Sequence, residues 1–205
     1  MYEVLAPEVL YFPSFLSDHA KFIETVNATS AWSEWKPNDH SISGFSYGTL
    51  KTFGTHEYRD IVEPLNKNNV RYIVNTIKKV NLICGYEYLK SQNASHAEID
   101  NFKKSVLLDK ITIGIKKYRE NGPALGPHPD TDLDNPRDEF SITFYPNDAY
   151  EGGELNFPDI GISVKPKAGS VVVYPSKHIH ESLPVSSGEK YVTNYVYLAA
   201  EKLWK

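Results

Sequence analysis

The sequence predicts an α+β protein in which helices of the N-terminal half support a double-stranded β-helix, or jelly roll, in the C-terminal half. Three observations carry this. Apolar residues recur at helical spacing in two stretches before residue 85. From about residue 106 the apolar period falls to two. Turn signals rich in glycine and proline then separate several short runs of strand-forming residues, the pattern of a sandwich or barrel.

Each element has its own signal. Leu16-Ser17-Asp18 places an apolar residue before capping residues, and Phe22, Ile23 and Val26 follow at helical spacing. Val70, Ile73, Val74, Ile77 and Val80 form a second apolar stripe, opened by the polar break Asn66 to Asn69 and given a stop at Gly85. Between them, Trp32, Trp35, Pro37, Gly44 and Gly48 mark an irregular or short-stranded stretch. Ile111, Ile113 and Ile115 alternate with Thr112, Gly114 and Lys116 as a strand with one buried face. Further strands are expected over 141–145, 163–165, 170–174 and 191–198. Turns fall at Asn121-Gly122-Pro123, Glu151-Gly152-Gly153, 166–169 and 186–188. With no repeat, low-complexity tract or linker, residues 1–205 read as one domain, 1–105 mainly helical support and 106–200 the jelly-roll core.

Composition narrows the function. Lys and Arg number 22 against 26 Asp and Glu, so no broad basic field recruits nucleic acid or an anionic membrane. The single cysteine, Cys84, excludes a disulfide framework and a cysteine-rich zinc site. No run approaches the ~20 apolar residues of a membrane span. The opening MYEVLAPEVLYFPSF has neither a basic leader nor an unbroken apolar core, so a cytoplasmic location is expected. Asn27-Ala28-Thr29 and Asn93-Ala94-Ser95 match the glycosylation pattern, by chance on that reading.

Two regions concentrate metal-ligand types. In Gly126-Pro127-His128-Pro129-Asp130, a strand would put His128 and Asp130 on one face. His178-Ile179-His180-Glu181 follows the apolar run Val171 to Tyr174 and offers a third ligand. Two histidines and one carboxylate hold one face of a non-haem Fe(II) and leave positions open. Lys190 and Val192 would share an interior face, where an ammonium calls for an anion. An anionic ligand is one answer, and an exposed lysine at a strand start is the other.

Between Tyr118 and Val196 the chain resembles the Fe(II)/2-oxoglutarate-dependent dioxygenases of the prolyl 4-hydroxylase-like branch. The resemblance runs in order through Tyr118-Arg119-Glu120-Asn121-Gly122, His128-Pro129-Asp130, Ile142 to Tyr145, Gly152-Gly153-Glu154-Leu155-Asn156-Phe157-Pro158, Val164 to Gly169, and His180 to Tyr191. It implies His128, Asp130 and His180 as iron ligands, with Lys190 and Tyr118 binding the co-substrate 2-oxoglutarate. It selects His180 over His178, because Pro184-Val185 and Lys190 follow at the family's distances. His178 then becomes a surface residue or a support for the ligands.

The implied activity couples O2-driven decarboxylation of 2-oxoglutarate to succinate with C–H hydroxylation of a substrate. Ascorbate enters as an accessory reductant. Retention of Asp130 favours hydroxylation over halogenation. A peptidyl proline is the expected substrate, with a free amino acid or other small molecule as the alternative. Two departures bear on that choice: Asp138, beside Arg137, stands where proline-directed members often have arginine, and Val196 where they often have tryptophan. A cupin-like metal-binding jelly roll is the alternative outside oxygenases, disfavoured by the pairing of Lys190 with Tyr118. The acidic loop 131–139 is a solvated loop or a lid.

Overall fold

The computed structural model describes residues 1–29, 33–34, 49–54, 67–107, 112–120, 122, 124–131 and 140–197. The N-terminal half supplies β1 (Glu3–Ala6), β2 (Val9–Phe12), α1 (His19–Thr29), β3 (Ser33–Glu34), β4 (Thr49–Gly54), α2 (Lys67–Ser91) and α3 (His96–Leu107). Next come β5 (Thr112–Arg119), β6 (Leu125–His128), β7 (Phe140–Tyr145), β8 (Tyr150–Gly152) and β9 (Leu155–Phe157). The chain continues through β10 (Ile162–Val164), β11 (Ser170–Pro175), β12 (His180–Ser182) and β13 (Val185–Tyr197).

Strand pairing makes two antiparallel sheets. The larger runs β1-β2-β11-β7-β13-β5-β4-β3, with β8 pairing β13; the smaller runs β10-β9-β12-β6. The large sheet is apolar on both faces, and the period of two sorts its side chains. Ile142, Phe144, Val171 and Val173 face one way and pack with Phe22, Val26, Val70, Ile73, Ile77 and Phe102 of the helices. Tyr145, Val172, Tyr174 and Val192 face the other way and pack with Leu155 and Phe157 of the small sheet. The functional cavity lies on that second side.

The expected helices are present, and the second is longer than expected. The stripe from Val70 continues through Cys84 and Tyr88, and α2 passes through Gly85 to Ser91. Gly85 serves close packing rather than termination: a Cβ there would collide with the Phe102 ring of α3. The helix ends where Asn93 adopts φ 57°, and α3 opens on a capping box. In that box Ser95 N–H donates to Glu98 Oε2 at 2.7 Å, and Glu98 N–H donates back to Ser95 Oγ at 3.3 Å.

The N-terminal half also contributes strands. Tyr11 of β2 pairs with Val172, and Lys51 of β4 with Ile115, so β1 to β4 extend the large sheet at both edges. The division at residue 105/106 therefore does not separate helix from sheet, since α3 runs past it to Leu107. The expected turn at 186–188 lies inside β13, where Gly188, at φ 81°, pairs with Tyr150 across a register irregularity. Of the other expected turns, those at Gly152-Gly153 and 166–169 are observed, and Asn121 and Pro123 lie outside the described residues. Gly152 and Gly153 both take φ near +70°, a region closed to most side chains. Trp32, Trp35 and the 132–139 stretch, Arg137 and Asp138 included, lie outside the described residues.

Candidate metal and co-substrate site

The two histidines are brought together by sheet register. His180, the first residue of β12, pairs directly with His128, the last of β6, and their ring centroids stand 4.5 Å apart. Asp130 lies just beyond β6 rather than on it. Its N–H donates to the Ser176 carbonyl at 2.9 Å, which turns the chain at the strand end and keeps the carboxylate beside the imidazoles. Asp130 Oδ1 is 3.7 Å from His128 Nε2, and Oδ2 is 3.5 Å from His180 Nε2. One ligand atom from each of the three residues lies within 4.8 Å of the others.

The proton positions follow from the partners. His128 Nδ1 is 2.7 Å from the Gly126 carbonyl oxygen, and His180 Nδ1 is 3.0 Å from that of His178. A carbonyl oxygen only accepts, so each Nδ1 carries hydrogen and Nε2 is the nitrogen each ring turns inward. Burial pushes the His180 pKa down, against the pull of Asp130, and keeps that ring neutral. Two Nε2 atoms and a carboxylate therefore converge, a set of donors suited to a divalent cation between them. The donor set fits Fe(II).

Asp130 is held ionised and oriented. Burial alone would raise its pKa, but the charge that His180 carries when protonated, the Ser141 hydroxyl, the charge of a protonated His128 and the Asn194 amide together bring it below the usual carboxylate range. Ser141 Oγ donates to Oδ2 at 2.6 Å and Asn194 Nδ2 at 3.2 Å, which fixes the carboxylate plane.

A cavity runs from this triad to Lys190. Its walls include Lys116, Tyr118, Thr143, Tyr145, Val192 and Asn194 from the large sheet, faced by Leu125, Leu155 and Ser182. Lys190 is 1% exposed, so it is an interior cation and not an exposed lysine at a strand start. Nζ donates to the Gly153 carbonyl at 2.6 Å and the Ser182 hydroxyl at 2.7 Å. The rings of Tyr145 and Tyr118 lie 5.3 and 5.5 Å away. Burial brings its pKa down to about 7; Glu154 opposes that shift and Lys165 and Lys116 reinforce it. Tyr118 sits opposite Lys190 in the β5–β13 ladder, with its hydroxyl pushed up by burial and by Asp130 and so protonated.

The structure thus brings His128, Asp130, His180, Tyr118 and Lys190 into one site. His178 points away: its Nδ1 donates to Asp159 Oδ2 at 2.8 Å, while its carbonyl supports His180. Sequence reasoning missed Ser141, Asn194, Ser182 and Lys116. Alternation carried a signal for two of them, because Asn194 follows Lys190 and Val192 on one face and Lys116 precedes Tyr118.

Two imidazoles and a carboxylate lie at one end of the cavity and a buried lysine deeper in it, an arrangement that can hold a divalent metal with an anion beyond it. Residues 113–197 match the family model of the 2OG-Fe(II) oxygenase superfamily. Over this stretch the chain is similar to that superfamily. A PKHD-type hydroxylase of Maricaulis maris (strain MCS10) is 37% identical over 101 residues, 47% of this chain and 45% of the relative. The chain spans less than half the length of the curated relatives it matches.

The fold recurs in solved structures. A viral collagen prolyl hydroxylase from Paramecium bursaria Chlorella virus-1, in its 2OG complex, aligns at TM-score 0.53 and 20% identity, covering 94% of this chain and 97% of the other. A Trichoplax adhaerens prolyl hydroxylase in complex with a hypoxia-inducible-factor peptide fragment aligns at TM-score 0.58 and 13% identity, covering 95% and 84%. Both are double-stranded β-helix proteins, so the expected α+β jelly roll is the fold observed. Among the described residues no helix is long and apolar enough to cross a membrane.

Proposed function

We propose that this chain is an Fe(II)- and 2-oxoglutarate-dependent hydroxylase acting on a peptidyl proline. The observation that carries the proposal is the pairing of two features in one cavity: three converging metal-binding atoms and, deeper, an almost fully buried lysine. A cupin-like metal site requires the first and not the second.

His128, Asp130 and His180 would hold the iron, with both rings presenting Nε2 and the Asp130 carboxyl ionised. Lys190 would meet the distal carboxylate of 2-oxoglutarate as a charge-assisted pair, with the Tyr118 hydroxyl as a further donor. That pair aligns the keto-acid end with the triad and replaces diffusion by a fixed geometry. The iron, when bound, supplies the oxidation in which O2 converts 2-oxoglutarate to succinate and CO2 and hydroxylates a substrate C–H bond. Leu125, Leu155 and Val192 exclude water from the cavity between the two ends. Ascorbate would serve to keep the metal reduced.

The peptidyl-proline substrate is supported by the match to a PKHD-type hydroxylase and by the prolyl 4-hydroxylase-like motifs. A free amino acid is the second reading. The observation favouring it is Lys116, a cation lining the cavity beside the triad that could receive a substrate carboxylate.

The test is an anaerobic optical titration of Fe(II)-loaded protein with 2-oxoglutarate. A saturable charge-transfer band in the native protein, absent in Asp130→Ala, is expected. Iron binding without a band would favour the cupin-like alternative. Succinate release is then compared with a proline-containing peptide and with free proline, and release with free proline alone would reverse the substrate assignment.

A further inference from the structure

We propose that Asp159 is a positioning residue for the metal centre: through His178 and Ile179 it fixes the backbone carbonyl that holds His180 in its metal-binding tautomer. The inference rests on the reading of His180 as a ligand. Asp159 belongs to the turn between β9 and β10, on a different element from any of the three converging residues. One of its oxygens, Oδ2, accepts two hydrogen bonds, from His178 Nδ1 at 2.8 Å and from the Ile179 N–H at 3.2 Å. Both donors lie in the short segment just before β12, which is also tied by the His178 N–H to the Pro175 carbonyl at 3.1 Å and, at Ser176, to the Asp130 N–H and the Ser141 hydroxyl. The carbonyl of that segment accepts the His180 Nδ1 proton at 3.0 Å.

A neutral imidazole carries its proton on either nitrogen, and the partner of one nitrogen decides which. If the 178–179 backbone rotates, the acceptor for Nδ1 is lost and part of the population moves its proton to Nε2, closing the metal-binding lone pair. His128 has no such dependence, because its acceptor, the Gly126 carbonyl, sits within its own strand β6. The same turn region braces the ring as well. Phe157, at the end of β9, lies 6.1 Å from the His180 ring and 6.4 Å from the His178 ring. The Asp159 side chain is 30% exposed, so its contact with His178 adds little stability in itself, and the effect of the contact is geometric.

The test uses the metal-free full chain labelled with 15N-histidine, observed by long-range proton–nitrogen correlation at about pH 8, where a buried neutral imidazole reports its tautomer directly. In the native protein His180 is expected as the Nδ1–H form. Asp159→Ala is expected to turn it into a tautomer mixture while His128 stays unchanged. In Asp159→Asn the amide oxygen can accept from the same two donors, and the native signal should return. His178→Ala, which keeps the Ile179 bond, should fall between. In parallel, Co(II) affinity should drop ~10- to 100-fold in Asp159→Ala and stay within about threefold of native in Asp159→Asn. An unchanged His180 tautomer in Asp159→Ala, an equal change at His128, or an Asn variant that behaves like Ala would overturn the proposal. Absence of Co(II) binding in the native protein would instead sink the metal reading, while the tautomer measurement still decides the role of Asp159.

Discussion

Raising the pH should loosen the co-substrate and tighten the empty fold, and both effects trace to Lys190. Burial brings its ammonium to a pKa of about 7, against 10.5 for an ordinary lysine. A dicarboxylate binds the protonated form, which is half the population at about pH 7 and roughly one part in a hundred at about pH 9, so the affinity for 2-oxoglutarate should fall ~50-fold over that interval. The ligand's own carboxylates remain ionised throughout. Folding has the opposite sign. Above pH 7 the unfolded chain keeps a proton on this lysine that the folded chain has released, so stability rises with pH. The expected gain from about pH 7 to about pH 9 is ~2 kcal/mol relative to Lys190→Met, which has no proton to release.

The groups facing Lys190 do not obscure this. Tyr118 and Tyr145 are pushed up by burial and stay neutral across the interval. Glu154, Lys165 and Lys116 are the other charges acting on it. Their influence is separated by Lys190→Arg, whose guanidinium keeps its charge at every pH used. The assays are anaerobic titration of the charge-transfer band for affinity and urea unfolding of the empty protein for stability. An affinity that is flat between pH 7 and 9, or a pH dependence that survives in Lys190→Arg, would refute the reasoning.

Other substitutions test other joints of the structure. Asp130→Ala should abolish metal binding and turnover while leaving the far-ultraviolet spectrum and the melting transition close to native, because the carboxylate's contacts are confined to the site. Ser141→Ala should keep the fold but weaken Fe(II) binding ~10-fold by freeing the Asp130 carboxylate plane, measured by metal competition. Gly85→Ala should destabilise by ~1–3 kcal/mol in urea unfolding, since the Phe102 ring already fills the space a Cβ would need. A neutral Gly85→Ala would show that α3 can shift away without cost.

The sequence was most legible where one physical pattern dominates. The stripe Val70 to Val80 names a buried helix face, and the short runs 141–145 and 170–174 emerge as strands, buried on both faces. The five candidate site residues come together because motif order fixes which strand carries each one. Reading failed where two patterns compete. Gly85 resembles a helix terminator by type, whereas its role depends on Phe102, which lies 17 positions away and is invisible to local spacing. The 186–188 turn signal is overridden by pairing of β13 with β8. The capping box at Ser95 and Glu98 was present in the sequence but hidden behind a glycosylation pattern. Strands β1 and β2 are only four residues each and are followed by Pro7 and Pro13, so pairing of β2 with β11 is what reveals them. Ser141 and Asn194 were missed because a serine or asparagine signals a carboxylate clamp only once the carboxylate's neighbour strands are known.

The two-sided character of the large sheet has a consequence for how this protein can change. Along β7, positions 141, 143 and 145 look into the cavity while 142 and 144 anchor the helices. Along β13, 190, 192 and 194 face the cavity, whereas 195 and 197 pack toward the helical side. Neighbouring residues on one strand therefore answer to separate selective demands, one for reactivity and the next for integrity. A library confined to the cavity-facing positions can redraw the substrate space without loosening the helical layer, and drift in that layer can proceed without retuning the chemistry. Residue parity becomes a practical guide to engineering the chain.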